Sequence, residues 1–173
     1  MKNMSLSTDR RVSGDDGETE ILIGNTEDAL RKEGFVLSAT RGTSMRPLLR
    51  TGRDVVLVRA KEERLKENDV ALYRRGDRLV LHRVVKVTEE GNKTLGDNTF
   101  VPEFVSEENA IGVMTEILRK GKTVSVTDKR YLRYVSRIRK TFRVRRFFAR
   151  LRSVFVAAGR RVFLREKGRK GSL

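Results

Sequence analysis

Gly42-Thr43-Ser44-Met45-Arg46-Pro47 is answered thirty-eight residues on by Val80-Leu81-His82-Arg83-Val84-Val85, and together the two stretches point to one architecture. The first sets a serine in a proline-containing turn, and the second carries the only histidine present. A hydroxyl is a poor nucleophile at neutral pH, and an imidazole that titrates near neutrality is the commonest group to take its proton. Ser44 and His82 therefore read as nucleophile and general base. A third group usually holds the imidazole, and Gly96-Asp97-Asn98-Thr99-Phe100-Val101-Pro102-Glu103 offers two carboxylates, Asp97 and Glu103. Taken singly, each element has an ordinary explanation. A serine before a proline is usually turn chemistry, a histidine in a strand is more often structural than catalytic, and Gly-Asp-Asn is a common turn. The ordered set carries the reading.

Working outward, Asn25-Thr26-Glu27-Asp28 predicts the start of a short helix that Gly34 stops. Phe35–Thr40 reads as a strand delivering the chain to Ser44, and Pro47–Arg50 as a turn of helix after it. Strands are expected over Asp54–Arg59, Asp69–Arg74 and Asp77–Thr88, the last two joined through Arg75-Gly76-Asp77 as a tight hairpin. Alternation puts Val80, His82, Val84 and Lys86 on one face of the last strand, which suits a half-buried groove. Glu90-Gly91-Asn92 reads as a turn, and Ile111–Arg119 with Lys122–Thr127 as a final strand pair. The core is mainly β. A strand edge beside the nucleophile would bind an extended peptide through its backbone and select alternate side chains.

The order Gly-x-Ser-Met-x-Pro at 42–47, Asp-Val-x-x-Tyr-Arg at 69–74, Val-x-His-Arg-Val-Val at 80–85 and Gly-Asp-Asn at 96–98 resembles the signal peptidase I family over roughly residues 35 to 118. The histidine makes it similar to the archaeal and endoplasmic-reticulum branch. The bacterial branch and the LexA-type self-cleaving repressors place a lysine where this chain has His82. The resemblance implies a signal-peptidase/LexA-like β core and a serine endopeptidase acting on an extended peptide or precursor protein, with small residues preferred at −1 and −3. It implies Ser44 as nucleophile, His82 as base and Asp97 or Glu103 as orienter. The family's aspartate position falls on Glu103, and its frequent serine two before the nucleophile is Gly42. Backbone amides near Ser44 and the Thr43 hydroxyl remain as oxyanion donors. Gly42, Thr43 and Met45 are thus the expected oxyanion or substrate-binding positions.

Composition bounds the rest. With no cysteine, disulfides and thiolate chemistry are excluded; with one histidine and no clustered carboxylates, a metal site is not expected, and no cofactor is called for. No stretch approaches the roughly 18 consecutive apolar residues of a membrane-spanning helix. Met1–Glu20 is polar, acidic in its second half, and unlike a secretory signal. The expectation is a disordered segment over residues 1–19, a catalytic domain over 20–127, a basic helical tail over 128–173, and a cytoplasmic location, peripheral at most to the inner membrane face.

Between Lys129 and Arg165 there are 14 Lys or Arg and no Asp or Glu, interleaved with Tyr131, Tyr134, Phe142, Phe147, Phe148, Phe155 and Phe163. Asp128 is placed to cap a helix, and Tyr131, Val135, Ile138 and Phe142 follow helical spacing. A basic α-helical C-terminal extension of this kind suits an anionic membrane surface; nucleic acid is the weaker alternative, and packing on the β core the plain one. A catalytically inactive member of the fold that binds peptide or membrane, or a nucleic-acid-binding protein acting through the tail, would use the same parts. Val156-Ala157-Ala158-Gly159 resembles the Ala-Gly site of self-cleaving repressors, but it lies on the wrong side of the core for one.

Overall fold

A computed structural model describes residues 17, 19–21 and 26–148. The chain divides into two compact units, Met1–Leu132 and Arg133–Leu173. The first is mainly β. Its elements are β1 (Glu20–Ile21), α1 (Thr26–Glu33), β2 (Phe35–Arg41), β3 (Asp54–Ala60), β4 (Val70–Arg75), β5 (Arg78–Thr88), β6 (Gly91–Leu95), β7 (Glu103–Ser106), β8 (Ala110–Arg119) and β9 (Lys122–Ser125), followed by the start of α2 (Lys129–Lys140).

Local chemistry explains most of these boundaries. Helix α1 carries Glu27 and Asp28 in its first turn and Arg31 and Lys32 in its last, which complements the helix dipole. It ends where Gly34, at φ 76°, donates its amide to the Leu30 carbonyl. The β4–β5 hairpin turns on Gly76 at φ 60°, and β8–β9 turns on Lys120 and Gly121, both at positive φ as such two-residue loops demand. The turn of helix expected over Pro47–Arg50 forms two residues earlier, closed by the Leu49 amide on the Met45 carbonyl at 2.9 Å, and does not extend to Arg50. Pro47 has no amide to donate, and the Arg50 amide goes instead to the Asp54 carboxylate at 2.9 Å.

Strands β6 and β7 are additional to the sequence reading. In β6 the buried side chains are Asn92 and Thr94, so no apolar alternation marks it, and the turn expected over Glu90-Gly91-Asn92 falls on Glu89 and Glu90, with Gly91 and Asn92 already strand. Asp128 accepts the Leu132 amide through its carbonyl, as a helix start should, but its carboxylate reaches back to the Ser125 amide rather than capping α2. Tyr131, Val135 and Ile138 are buried, as their spacing predicts. In the second unit, residues 142–148 are also helical, with Val144, Phe147 and Phe148 exposed. Residues 149–173, with the Ala158 sequence, lie outside the described residues.

All strand pairings are antiparallel, in the order β1-β2-β3-β8-β4-β5-β6-β7 with β9 on β8. Strand β1 pairs with both β2 and β5, so the path β1-β2-β3-β8-β4-β5 returns on itself. The two-residue β1 is thus the piece that fills a slot between two longer strands. Closure buries both faces of β5 from Leu79 to Val84, where alternation alone predicts a half-buried strand. A core of Leu65, Ala71, Tyr73, Val80, Val84, Val105 and Ala110 covers the His82 face. The bulge between Val84 and Lys86 then slips the alternation: Lys86 is exposed, and Val87 packs against that core in the place Lys86 was expected to take.

Candidate active site

Ser44 lies in the turn that leaves β2, and His82 in the middle of β5, opposite Ala71 on β4. The turn is anchored by Met45, fully buried, and by Leu48 and Leu49 behind it. The Ser44 Oγ stands 3.0 Å from His82 Nε2, and both residues are 2% exposed. Behind the imidazole, Nδ1 is 2.9 Å from the Tyr73 hydroxyl, and that hydroxyl donates to Glu103 Oε2 at 2.7 Å. Glu103 itself is 3.9 Å from Nδ1. Tyr73 therefore stands between base and carboxylate.

This arrangement selects a tautomer. The Tyr73 hydroxyl has one proton, directed at Glu103, so at Nδ1 it acts as acceptor and the imidazole proton sits on Nδ1. Nε2 is left with its lone pair toward the Ser44 hydroxyl, the form a general base needs. Burial pushes the His82 pKa down from 6.5 to about 4, with Arg75 adding to the shift while Glu103 and Asp97 oppose it. The ring is neutral at physiological pH.

The Gly96-Asp97-Asn98 turn holds the serine from the other side. Asn98 donates its amide to the Ser44 carbonyl at 2.6 Å, and its side chain reaches the Thr43 carbonyl at 3.3 Å. A Cβ on Gly96 would stand 2.8 Å from the Ser44 carbonyl oxygen and 2.9 Å from its Cβ, so only glycine permits this approach. Asp97 is bound by both ends of the Arg83 guanidinium, at 2.8 and 2.7 Å, and both side chains are almost fully buried. Arg83 also donates to the Asn68 carbonyl and to the Tyr131 hydroxyl. Burial works against the Arg83 charge, but Asp97 outweighs it and holds the guanidinium firmly protonated. Of the two candidate carboxylates, Glu103 is linked to His82 by hydrogen bonds through Tyr73, whereas Asp97 is engaged by Arg83 and reaches the ring through its charge.

Of the expected oxyanion positions, Thr43 joins Ser44 in pointing at one atom, while the Gly42 and Met45 amides are engaged elsewhere. The amides of Thr43 and Ser44 each stand 2.7 Å from the Gly17 carbonyl oxygen, and the Thr43 hydroxyl is 3.0 Å from it. Gly42, at φ 104°, supplies the bend that lets the next two amides point the same way. The Met45 side chain is core, while its amide donates to the Thr19 hydroxyl at 2.9 Å. Thr19 in turn donates its own amide to Ser44 Oγ at 2.7 Å and accepts the Leu81 amide at 2.9 Å. Gly17 and Thr19 fall in the segment expected to lack order, and here they are fixed; the rest of residues 1–16 lies outside the described residues.

Sequence reading left three contributors without a role: Tyr73, Arg83 and the Gly17–Thr19 stretch. Tyr73 was visible in Asp-Val-x-x-Tyr-Arg, and the hairpin register puts it opposite Val80, two residues along from His82 on the same face. Arg83 follows the histidine directly, and an arginine in a buried strand calls for a buried carboxylate. Among the described residues no group of three or more His, Asp or Glu side chains is placed to hold a metal ion, and no helix is long and apolar enough to cross a membrane. Comparison with protein-family models, with curated proteins and with solved structures found no match.

Proposed function

We propose that the chain is a serine endopeptidase of the signal-peptidase-like type, built on that family's β core, with Ser44 as nucleophile and His82 as general base. One observation carries the reading: a serine hydroxyl in contact with the free nitrogen of a neutral, buried imidazole, whose adjacent amides are aimed together at a carbonyl oxygen. Such a pair needs an acyl carbon beside the serine and an oxyanion beside the amides, which is the geometry of acyl transfer. As Ser44 attacks, its proton passes to Nε2, the Ser44 and Thr43 amides and the Thr43 hydroxyl receive the oxyanion, and Glu103 acting through Tyr73 steadies the imidazolium that forms. The proton then goes to the leaving amine, and water repeats the sequence on the ester.

The substrate class follows from the slot between β2 and β5. There the chain's own Glu20 and Ile21 are paired through their backbone with β2 on one side and β5 on the other, and an extended peptide led to Ser44 is read in the same way, by its peptide bonds. For the tail, exposed Val144, Phe147 and Phe148 beside Arg143 and Arg146 support an anionic membrane surface over nucleic acid. The test is mass spectrometry of a diverse peptide mixture incubated with the wild type and with Ser44→Ala. Cleavage by the wild type alone is the expected result, and no difference between the two refutes the reading.

A further inference from the structure

The slot between β2 and β5 is filled by the chain itself. Glu20 pairs with Arg41 on β2 and with Val80 on β5, and Ile21 with Thr40 and Leu79. Just before this strand the Thr19 amide bonds the Ser44 hydroxyl, and the Gly17 carbonyl oxygen takes three donors at once. An ordinary strand carbonyl accepts one bond, or two at most where both lone pairs are used. Three donors around one oxygen, two of them the nucleophile's own amide and the one before it, form an oxyanion hole around a carbonyl already in place. On the proposed peptidase reading, that carbonyl is the one Ser44 attacks.

We propose that the first substrate of this site is its own N-terminal segment, cut after Gly17. Ser44 Oγ adds to the Gly17 carbonyl carbon as its proton moves to His82 Nε2. The bond between Gly17 and the nitrogen of residue 18 then breaks, and His82 returns the proton to that nitrogen. Water, deprotonated by His82, hydrolyses the ester between Gly17 and Ser44, giving a free Gly17 carboxylate and restoring the serine. One peptide bond and one water become one carboxylate and one amine. The new N-terminus is Glu18, and Thr19 and β1 stay paired in the sheet while the acyl side of the slot empties. Until then no external carbonyl can take the same three donors.

The residue type fits. Gly17 has φ +74°, which L side chains rarely adopt, and a Cβ there would stand 3.0 Å from the Thr43 hydroxyl that bonds its carbonyl. The position accepts glycine and disfavours every larger residue. The site also faces the right way for an intramolecular reaction, since the strand C-terminal to the cut is held on both sides and needs no partner molecule.

The experiment follows intact mass and the N-terminal sequence of the full chain over time, at protein concentrations a hundredfold apart, with the peptide mixture in the same tube. Expected is first-order loss of residues 1–17 with the same half-time at every concentration, none in Ser44→Ala, and at least a tenfold slower loss in Gly17→Val. An intact N-terminus in a protein that cuts the mixture overturns self-processing and leaves the peptidase standing; neither event overturns both. Equal loss in Ser44→Ala, or a rate that scales with concentration, also overturns it.

Discussion

Replacing Asp97 by alanine removes both acceptors of a guanidinium that is 2% exposed, and leaves Arg83 with two neutral oxygens, the Asn68 carbonyl and the Tyr131 hydroxyl. Breaking a buried ion pair from one side strands the other charge, at a cost of roughly 3–5 kcal/mol. A domain of this size loses about 4 °C of Tm per kcal/mol, so the melting temperature should fall by ~12–20 °C. Glu103→Gln is the matched control. Glu103 is 28% exposed at its side chain, accepts one hydroxyl at 2.7 Å and pairs with the part-exposed Arg75 guanidinium at 3.3 Å, so its loss should cost about 1–2 kcal/mol. Its effect should fall on catalysis. An amide at that place can donate to Tyr73, which turns the tyrosine proton toward Nδ1 and puts the imidazole proton on Nε2, where no lone pair remains for Ser44. We expect turnover roughly 10–100-fold lower in Glu103→Gln, and within about threefold of wild type in Asp97→Ala assayed well below its own Tm. Thermal melts and peptide-cleavage rates on the two variants decide it. An Asp97→Ala protein that melts within ~1 kcal/mol of wild type yet has lost its activity would overturn this assignment and make Asp97 the orienting carboxylate.

The His82 pKa of about 4 places the acid limb of kcat/KM near pH 4 instead of 6.5, so a pH–rate profile should stay flat through pH 5.5, where an ordinary histidine is mostly protonated. The same shift has a stability sign: the folded value lies below the unfolded one, so the native state binds fewer protons between them. Its contribution is whole above about pH 6.5 and is lost as pH falls through 4, which urea melts across that window will register. Tyr73→Phe leaves the Nδ1 proton without its acceptor and should lower kcat about 10–100-fold with KM little changed, in steady-state assays on a cleaved peptide. Gly96→Ala drives a methyl into the Ser44 carbonyl; it should cost about 1–3 kcal/mol in a melt and about 100-fold in rate, because the nucleophile must move.

Strands with apolar alternation were legible from sequence, and so was the order of the candidate site. The parts that were not legible share a physical reason. Strand β6 buries Asn92 and Thr94, and β1 is two residues held by edges that other parts of the chain provide, so neither writes a hydrophobic period. Asp97 and Glu103 are both carboxylates in a turn-rich stretch, and only the burial of Arg83 on the neighbouring strand separates them. A charge buried on β5 claims the nearer acid for stability, and leaves the farther one for the histidine. The expected alternation of β5 failed at Val85 because a bulge carries no signature beyond one extra residue.

The inserted tyrosine changes what fixes the base. In a histidine bonded directly to a carboxylate, ring orientation depends on that carboxylate and on whatever holds it. Here the Tyr73 ring belongs to the core with Val80, Val84 and Val105, its centroid 5.9 Å from the imidazole, while its hydroxyl faces Nδ1. Core packing therefore sets the position of the acceptor, and the carboxylate, at the partly exposed end of the chain of bonds, sets only its polarity. Burial of His82 is affordable in this arrangement because the ring is neutral at rest, and the charge it gains during reaction is met one bond away by a hydroxyl whose proton already leans toward Glu103. Two variants separate these roles: Tyr73→Phe should keep the ring in the core but remove the hydroxyl that accepts the Nδ1 proton, whereas Glu103→Gln should keep that hydroxyl in place and reverse its polarity. An imidazole nitrogen shift that moves in Glu103→Gln, while the His82 to Ser44 distance is unchanged, is the signature that polarity and position are held by different groups.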